Sequence, residues 1–307
     1  MEVLEAKPDV KEFVERELLN DKRRVNKFLE AVNRDLPIGG LFSGRVESAR
    51  ARKQQMLAKY PRPLNKLLYA ADYTLHRVWP KLPGLRKVYF ILTEGRGRVM
   101  SEMEAIGRLY ACGFRMMRTE VKGSIIHFTV EKVAEPAYDM EATYGPLIRL
   151  RRVGRGGEMI KVYKFRTMSP YSEYIQAYIF ERNGYDGGAG FKDDTRITTV
   201  GAFMRKYWID ELPMIWNFLK GDLKLFGVRP VSRQYLGLFP EEFQAYRKRF
   251  KPGLIPPVIV HVPNTFDEIW MVERDYLQAY ESSPFTTDMR YLFKGVYNVL
   301  FKRVRSV

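Results

Sequence analysis

Cysteine is almost absent from this chain: Cys112 is the only one in 307 residues. That excludes an internal disulfide framework and a thiolate zinc cluster, and it suits a reducing compartment. Histidine is scarce as well, and His76, His127 and His261 fall at no ligand spacing, so a metal held through imidazole is not expected. Long apolar runs are also missing. The most apolar stretches, Val88 to Thr93, Leu254 to Val262 and Tyr297 to Phe301, fall far short of the roughly 18 residues that a spanning helix needs. The sequence is charged from Glu2 onward and shows no apolar secretory signal, so the expected location is cytoplasmic.

What is plentiful is positive charge. Lys and Arg number 52 against 36 Asp and Glu, a net +16, which predicts an anionic partner: nucleic acid, phosphorylated small molecules or the inner leaflet of a membrane. Hydrophobic residues make up 46% and aromatics 14%, enough for a folded chain with a real core.

Apolar residues at helical spacing (Val10, Phe13, Val14, Leu18, then Val25, Phe28, Leu29, Val32) predict one or two amphipathic helices ending before Pro37. A basic segment from Ala49 to Lys87 carries an apolar face of Leu64, Leu67, Leu68, Ala71, Leu75 and Val78; it reads either as core or as a membrane-interface face. Ser101 to Ala111 reads as a helix capped by Ser101 with Glu104 three residues on, followed by a hairpin from Phe114 to Val133 turning at Lys122-Gly123. After a loop around Pro136 to Gly145 come a second hairpin (Leu147 to Phe165), a loop holding Gly184, Gly187, Gly188 and Gly190, helices near Met214 to Leu219 and Pro240 to Phe250, and an amphipathic helix over Asp288 to Val307 with Leu292, Phe293, Val296, Val299 and Leu300 on one side. The expected organisation is a helical basic region over 1–90, a helix plus β-hairpin subdomain over 91–138 and a catalytic domain over 139–307.

Chemistry concentrates around Trp208-Ile209-Asp210-Glu211-Leu212-Pro213. Paired carboxylates ahead of an apolar helical run are on pattern alone a capping arrangement. Their surroundings suggest more. Lys164, Arg166, Arg196, Arg205 and Arg229, with Asp222, supply guanidinium and ammonium groups that hold phosphate oxygens near carboxylates able to act as nucleophile or to bind a hard cation.

From about Gly145 to Gly253 the sequence resembles the bacterial sugar transferase family, the monotopic polyprenol-phosphate phosphoglycosyl transferases. The resemblance rests on ordered blocks: Gly145-Pro146, Arg152-Val153-Gly154, Tyr163-Lys164-Phe165-Arg166-Thr167-Met168, Asp194-Thr195-Arg196-Ile197-Thr198, Gly201 with Arg205-Lys206, Asp210-Glu211-Leu212-Pro213, Asn217-Phe218-Leu219-Lys220-Gly221-Asp222, Arg229-Pro230 and Lys251-Pro252-Gly253. It implies an α+β, predominantly helical fold with a small catalytic core of helices around a β-hairpin. It also implies that Asp210 attacks the sugar-bearing phosphate of a UDP-sugar, forming a covalent phosphosugar that passes to polyprenol phosphate. Glu211, with Asp210, would hold Mg2+, and Lys164, Arg166, Arg196, Arg205, Asp222 and Arg229 would bind substrate. The net charge and the basic amphipathic segments predict a peripheral position on the inner face of the cytoplasmic membrane, and the absence of the family's membrane helix points to a membrane-protein partner or homodimer; nucleic acid is not an expected partner, since no signature of a nucleic-acid-binding module is found.

Two departures stand out. The family places a hydrophobic re-entrant helix just before Gly145-Pro146, where this chain has Glu135 to Tyr144 with several charges. After Gly253 it reads Leu254 to Pro263, without an Arg that some relatives place near the nucleotide-sugar. The alternative reading is therefore a non-catalytic nucleotide-sugar-binding relative in a polysaccharide-assembly complex.

Overall fold

The computed structural model describes residues 11–138, 145–183, 193–263 and 265–301. They fall into two compact units, one ending at Gly145 and joined by Ser169–Ile179, the other comprising Pro146–Met168 and the chain from Phe180 onward. The expected glycine-bearing loop over 184–190, the stretch 139–144 and residues 302–307 lie outside the described residues.

The first unit contains β1 (Glu12–Leu18), α1 (Val25–Asp35), β2 (Leu41–Glu47), α2 (Ala49–Lys59), α3 (Leu64–Tyr73), α4 (Leu85–Thr93), α5 (Glu102–Ala111), β3 (Phe114–Lys122) and β4 (Ile125–Lys132). Its sheet runs β1-β2-β4-β3, with β1 parallel to β2 and the other pairs antiparallel. Alternation along β2 turns Phe42 and Val46 inward, where they meet Ile126, Phe128 and Val130 of β4, Leu29 and Val32 of α1, and Ala105 and Leu109 of α5. The Ser101 hydroxyl accepts from the Glu104 N–H at 3.2 Å and starts α5 where the capping pattern predicts it.

One expectation in this unit fails, and another narrows to one of its two readings. Residues 12–18 form a strand rather than the first turns of a helix. Seven residues of mixed pattern fit either state; pairing with β2 engages the backbone, and the Phe13 ring lies tilted against Phe42 with centroids 5.9 Å apart. Of the two readings of the apolar face along 64–78, core does not hold for its leading positions, while Leu68, Leu75 and Val78 are half-buried. Leu64, Leu67 and Ala71 are exposed, whereas Asn65 and Arg77 are buried. Arg77 donates to buried Glu104, which also takes Arg108 at 2.9 Å and has Lys81 at 4.0 Å.

The second unit opens with the hairpin β5 (Leu147–Val153) and β6 (Met159–Phe165). Its turn holds Gly156 and Gly157 at φ 70° and 83°, a backbone that side chains disfavour. Then follow α6 (Gln176–Asn183), which crosses the unit boundary, α7 (Thr199–Lys206), α8 (Met214–Leu219), β7 (Lys224–Phe226), α9 (Arg233–Leu236), α10 (Glu241–Lys248), β8 (Gly253–Ile255), α11 (Val258–His261), α12 (Phe266–Ser282) and α13 (Pro284–Phe301). Phe226, Phe239, Phe243, Tyr276 and Leu277 form the larger core. The segment after Gly253 that departs from the family pattern is structural here: β8 pairs with β7, and Leu254 packs against Val162, Met214 and Leu223. On α13 Thr287, Gly295 and Asn298 are buried and Tyr291 and Leu292 pack against the larger core, while Phe293 and Val296 are exposed. The molecule is α+β with helices outweighing strands, as the resemblance implies.

Candidate functional site

Asp210 and Glu211 occupy a 3-10 turn, Ile209–Glu211, entered through Trp208 at φ 59° and leading through Leu212 and Pro213 into α8. The N-cap of α8 is Pro213, with no side-chain cap bond, so the capping role that the pattern suggested is not what holds these carboxylates. Both are buried, with 6% and 7% of their surface exposed. Burying two adjacent acids is costly unless cations compensate.

Compensation reaches Glu211 first. Lys164, near the end of β6, places Nζ 2.5 Å from Glu211 Oε1, and Arg229 brings a guanidinium nitrogen to 3.8 Å. Burial pulls the Lys164 ammonium below its ordinary range, against the attraction of Glu211. Asp210 is less well served. Its Oδ1 is buried and, among the described residues, has no hydrogen-bond partner. Burial and the neighbouring Glu211 charge raise its carboxyl above the usual range, while Lys164 and Arg205 draw it back.

Arg205 is positioned by a second motif. Thr198 caps α7, its hydroxyl accepting from Gly201 N–H at 2.9 Å, and the Thr198 N–H donates to the Thr167 carbonyl at 2.9 Å. Gly201 lies directly against that carbonyl; a Cβ there would sit 1.9 Å from Thr167 O. This close approach brings the last turn of α7 over Thr167, and Arg205 Nε donates to the Thr167 hydroxyl at 3.0 Å. Arg205 lies within electrostatic reach of Asp210, Asp194, Arg229 and Arg196.

The expected site residues therefore divide. Lys164, Arg205, Asp210, Glu211 and Arg229 share one constellation. Arg196 is held by Asp194 through paired contacts of 2.8 and 2.7 Å and belongs to its electrostatic margin. Arg166 is anchored through its backbone N–H to Pro146 O at 2.6 Å. Asp222 takes a bracing position, accepting from Asn217 at 3.0 Å and Lys220 at 3.3 Å. Three residues were not singled out beforehand. Asn217, fully buried, accepts from Tyr163 N–H and donates to Lys161 O, tying α8 to the strand that carries Lys164. Thr167 orients Arg205. Arg152, whose guanidinium is pulled down by burial and by Arg229, adds a further cation. A polar Asn inside an apolar helical run was a signal for the first; the other two lay inside motif blocks without a mark of their own.

Such a site can do two things: present a carboxylate oxygen with an unmet need for a partner, and surround an anionic phosphorus centre with cations. Among the described residues no third His, Cys, Asp or Glu joins the pair as a metal cluster.

Residues 122–302, more than half of the chain, match the family model of the bacterial sugar transferases. The match extends on both sides of the blocks that carry the sequence resemblance. Among curated proteins, the chain is 38% identical over 145 residues to a galactosyl transferase of Streptococcus agalactiae, 44% of this chain and 31% of that protein. It is 41% identical over 113 residues, 36% of this chain and 24% of the relative, to a UDP-N-acetylgalactosamine-undecaprenyl-phosphate N-acetylgalactosaminephosphotransferase of Aeromonas hydrophila. A putative undecaprenyl-phosphate N-acetylgalactosaminyl 1-phosphate transferase of Bacillus subtilis is 37% identical over 112 residues, 36% of this chain and 57% of the relative. The matched stretch spans less than two thirds of each of these relatives.

Proposed function

The chain belongs to the bacterial sugar transferase family, and from that premise we propose that it transfers a sugar 1-phosphate from a UDP-sugar to a polyprenol phosphate at the inner face of the cytoplasmic membrane. The observation that carries the proposal is the buried Asp210-Glu211 pair, whose Asp210 Oδ1 lacks a hydrogen-bond partner among the described residues while Lys164, Arg205 and Arg229 gather around the pair.

In this reading an Asp210 carboxylate oxygen attacks the sugar-bearing phosphorus. The bond from that phosphorus to the UMP oxygen breaks, UMP leaves with the electron pair, and the phosphosugar is held on Asp210 as an acyl phosphate. An oxygen of the lipid phosphate then attacks the same phosphorus and the Asp210 carboxylate departs, restored. Lys164, Arg205 and Arg229 offset the charge of the incoming diphosphate. The same burial that raises the Asp210 carboxyl leaves its anion poorly solvated and hence more nucleophilic once ionised.

Mg2+ fits the donor set. Two adjacent carboxylates, one with a buried oxygen lacking a partner, suffice for an ion that takes its other ligands from substrate phosphates and water. Asp210 and Glu211 would hold it, and when bound it screens charge on the diphosphate. A lipid acceptor is supported by the apolar surface beside the pair: Leu212, Ile215, Trp216 and Leu219 are all exposed.

UMP release from a panel of UDP-sugars, with Mg2+ and undecaprenyl phosphate in detergent, tests the proposal. Release that depends on Asp210 supports it and names the donor. No release from any donor by folded protein overturns it in favour of a non-catalytic nucleotide-sugar-binding relative.

A further inference from the structure

The stretch 60–93 has its burial inverted. On α4, Leu85, Val88, Ile91 and Leu92 are all exposed, Ile91 at 78% and Leu92 at 68%. At about 100° per residue these four positions fall within roughly 120° of arc, a continuous stripe. On α3, Leu64, Leu67 and Ala71 form a similar stripe at i, i+3, i+7, with Leu67 at 68% exposure. The buried positions are polar or polar-tipped: Asn65, Arg77 and Tyr89. Asn65 donates to Leu57 O at 2.9 Å; Asp72 takes Arg52 at 2.5 Å; Tyr89 donates to Arg96 O at 2.9 Å. Asn65 Oδ1 has no hydrogen-bond partner among the described residues, and the bonds named hold the helices in this orientation while the Leu67, Ile91 and Leu92 side chains remain exposed.

Charge identifies what covers them. Residues 60–93 contain Arg62, Lys66, Arg77, Lys81, Arg86 and Lys87 but only one acid, Asp72, and that acid is paired with Arg52. Arg62, Lys66, Arg86 and Lys87 are exposed alongside the two stripes. Bulky aliphatic side chains flanked by cations, with no free carboxylate among them, match a surface whose outer layer is anionic and whose next layer is hydrocarbon. A protein partner of ordinary composition would be expected to meet some acid here.

We propose that α3 and α4 form a docking surface for an anionic lipid bilayer, their aliphatic stripes entering the headgroup boundary and Arg62, Lys66, Arg86 and Lys87 pairing with lipid phosphates. The surface lies outside the stretch that matches the family model. It rests on the proposed function only in that a lipid-linked acceptor gives the docking its purpose.

The test is co-sedimentation of the full chain with vesicles of phosphatidylcholine alone or with phosphatidylglycerol added, without donor or acceptor, so that the outcome stands apart from UMP release. Binding is expected only to the anionic vesicles. The pair Arg86→Gln/Lys87→Gln is expected to weaken it about thirtyfold, from roughly a fivefold loss per cation near such a surface. Ile91→Asp/Leu92→Asp is expected to abolish binding with an unchanged unfolding midpoint, since both side chains are already solvated. Val121→Asp, an equally exposed apolar position on β3, controls for added charge and is expected to bind as wild type, as is Asp210→Asn. Equal binding to both vesicle types, or none, overturns the proposal. So does a dimer in solution that Ile91→Asp/Leu92→Asp converts to monomer, which would make a second copy the occupant.

Discussion

Each unit buries an acid among arginines and lysines, and the two acids are treated in opposite ways. Glu104 has Arg77, Arg108 and Lys81 on its two oxygens; burial alone would raise it, but those cations hold its carboxyl well below the usual range. Asp210 has an oxygen with no hydrogen-bond partner among the described residues and a charged neighbour of its own sign, and its carboxyl is raised. Equal burial therefore says nothing about role. A carboxylate whose every lone pair is answered is a joint; one left wanting is available to an incoming group.

That contrast can be broken by substitution, and the largest effect is expected at the unanswered acid. Asp210→Asn should reduce UMP release by roughly 10⁴-fold or more, as loss of a nucleophile does, while the urea midpoint stays level or rises because a strained buried charge has gone. A matching fall in stability would make Asp210 a joint like Glu104. Glu104→Gln should do the reverse: about 3–5 kcal/mol of unfolding free energy lost, since Arg77 and Arg108 stay buried without their anion, with turnover per folded molecule little changed. Equilibrium denaturation beside active-site titration separates the two.

Lys164→Met leaves Glu211 facing Asp210 without the ammonium at 2.5 Å, with Arg229 at 3.8 Å beside it. It should lower kcat/KM by about 10²-fold, in the range for losing one preorganised charge stabiliser; an unchanged value would remove Lys164 from the site. Gly201→Ala forces a Cβ onto the Thr167 carbonyl and should cost about 1–3 kcal/mol of stability as overpacking does, visible as a lowered unfolding midpoint. The finest distinction is in pH. Stability contributed by Glu104 is present above its unfolded value near 4.5 and is lost as pH falls, so the penalty of Glu104→Gln should shrink in acid. Asp210, raised, favours the fold while protonated and weighs against it as pH climbs past its unfolded value near 3.8, so Asp210→Asn should gain on wild type as pH rises. The acid limb of the activity profile should climb over the same range. Denaturation curves from about pH 3 to pH 7 check both signs at once.

Local rules carried much of the fold. The α5 cap at Ser101, the hairpin of β3 and β4, and the β5-β6 turn were readable because each depends on residues a few positions apart. The strand over residues 12–18 was not, because its pairing partner β2 lies beyond α1 and no short-range pattern reports that contact. In the site, Lys164, Arg205, Asp210, Glu211 and Arg229 were legible as charge types set in ordered blocks. Thr167 and Asn217 escaped since their work, steering Arg205 and tying α8 to β6, appears only when a hydroxyl and an amide are seen between elements. The outward turn of α3 was left open between core and membrane interface for a related reason: periodicity identifies an apolar side but not which side turns inward.

The second unit is discontinuous in the chain: the hairpin bearing Lys164 is separated from α7 and α8 by Ser169–Ile179, which belongs to the first unit. Synthesis therefore delivers the site in instalments. Arg229 emerges about 65 residues after Lys164, roughly 3–13 s later at ordinary elongation rates, and until α8 follows, β5 and β6 have no Asn217 to fasten them. The nascent hairpin must persist as an unfinished piece after the strands of the first unit are complete, so synthesis is a stage at which this architecture is open to misassembly.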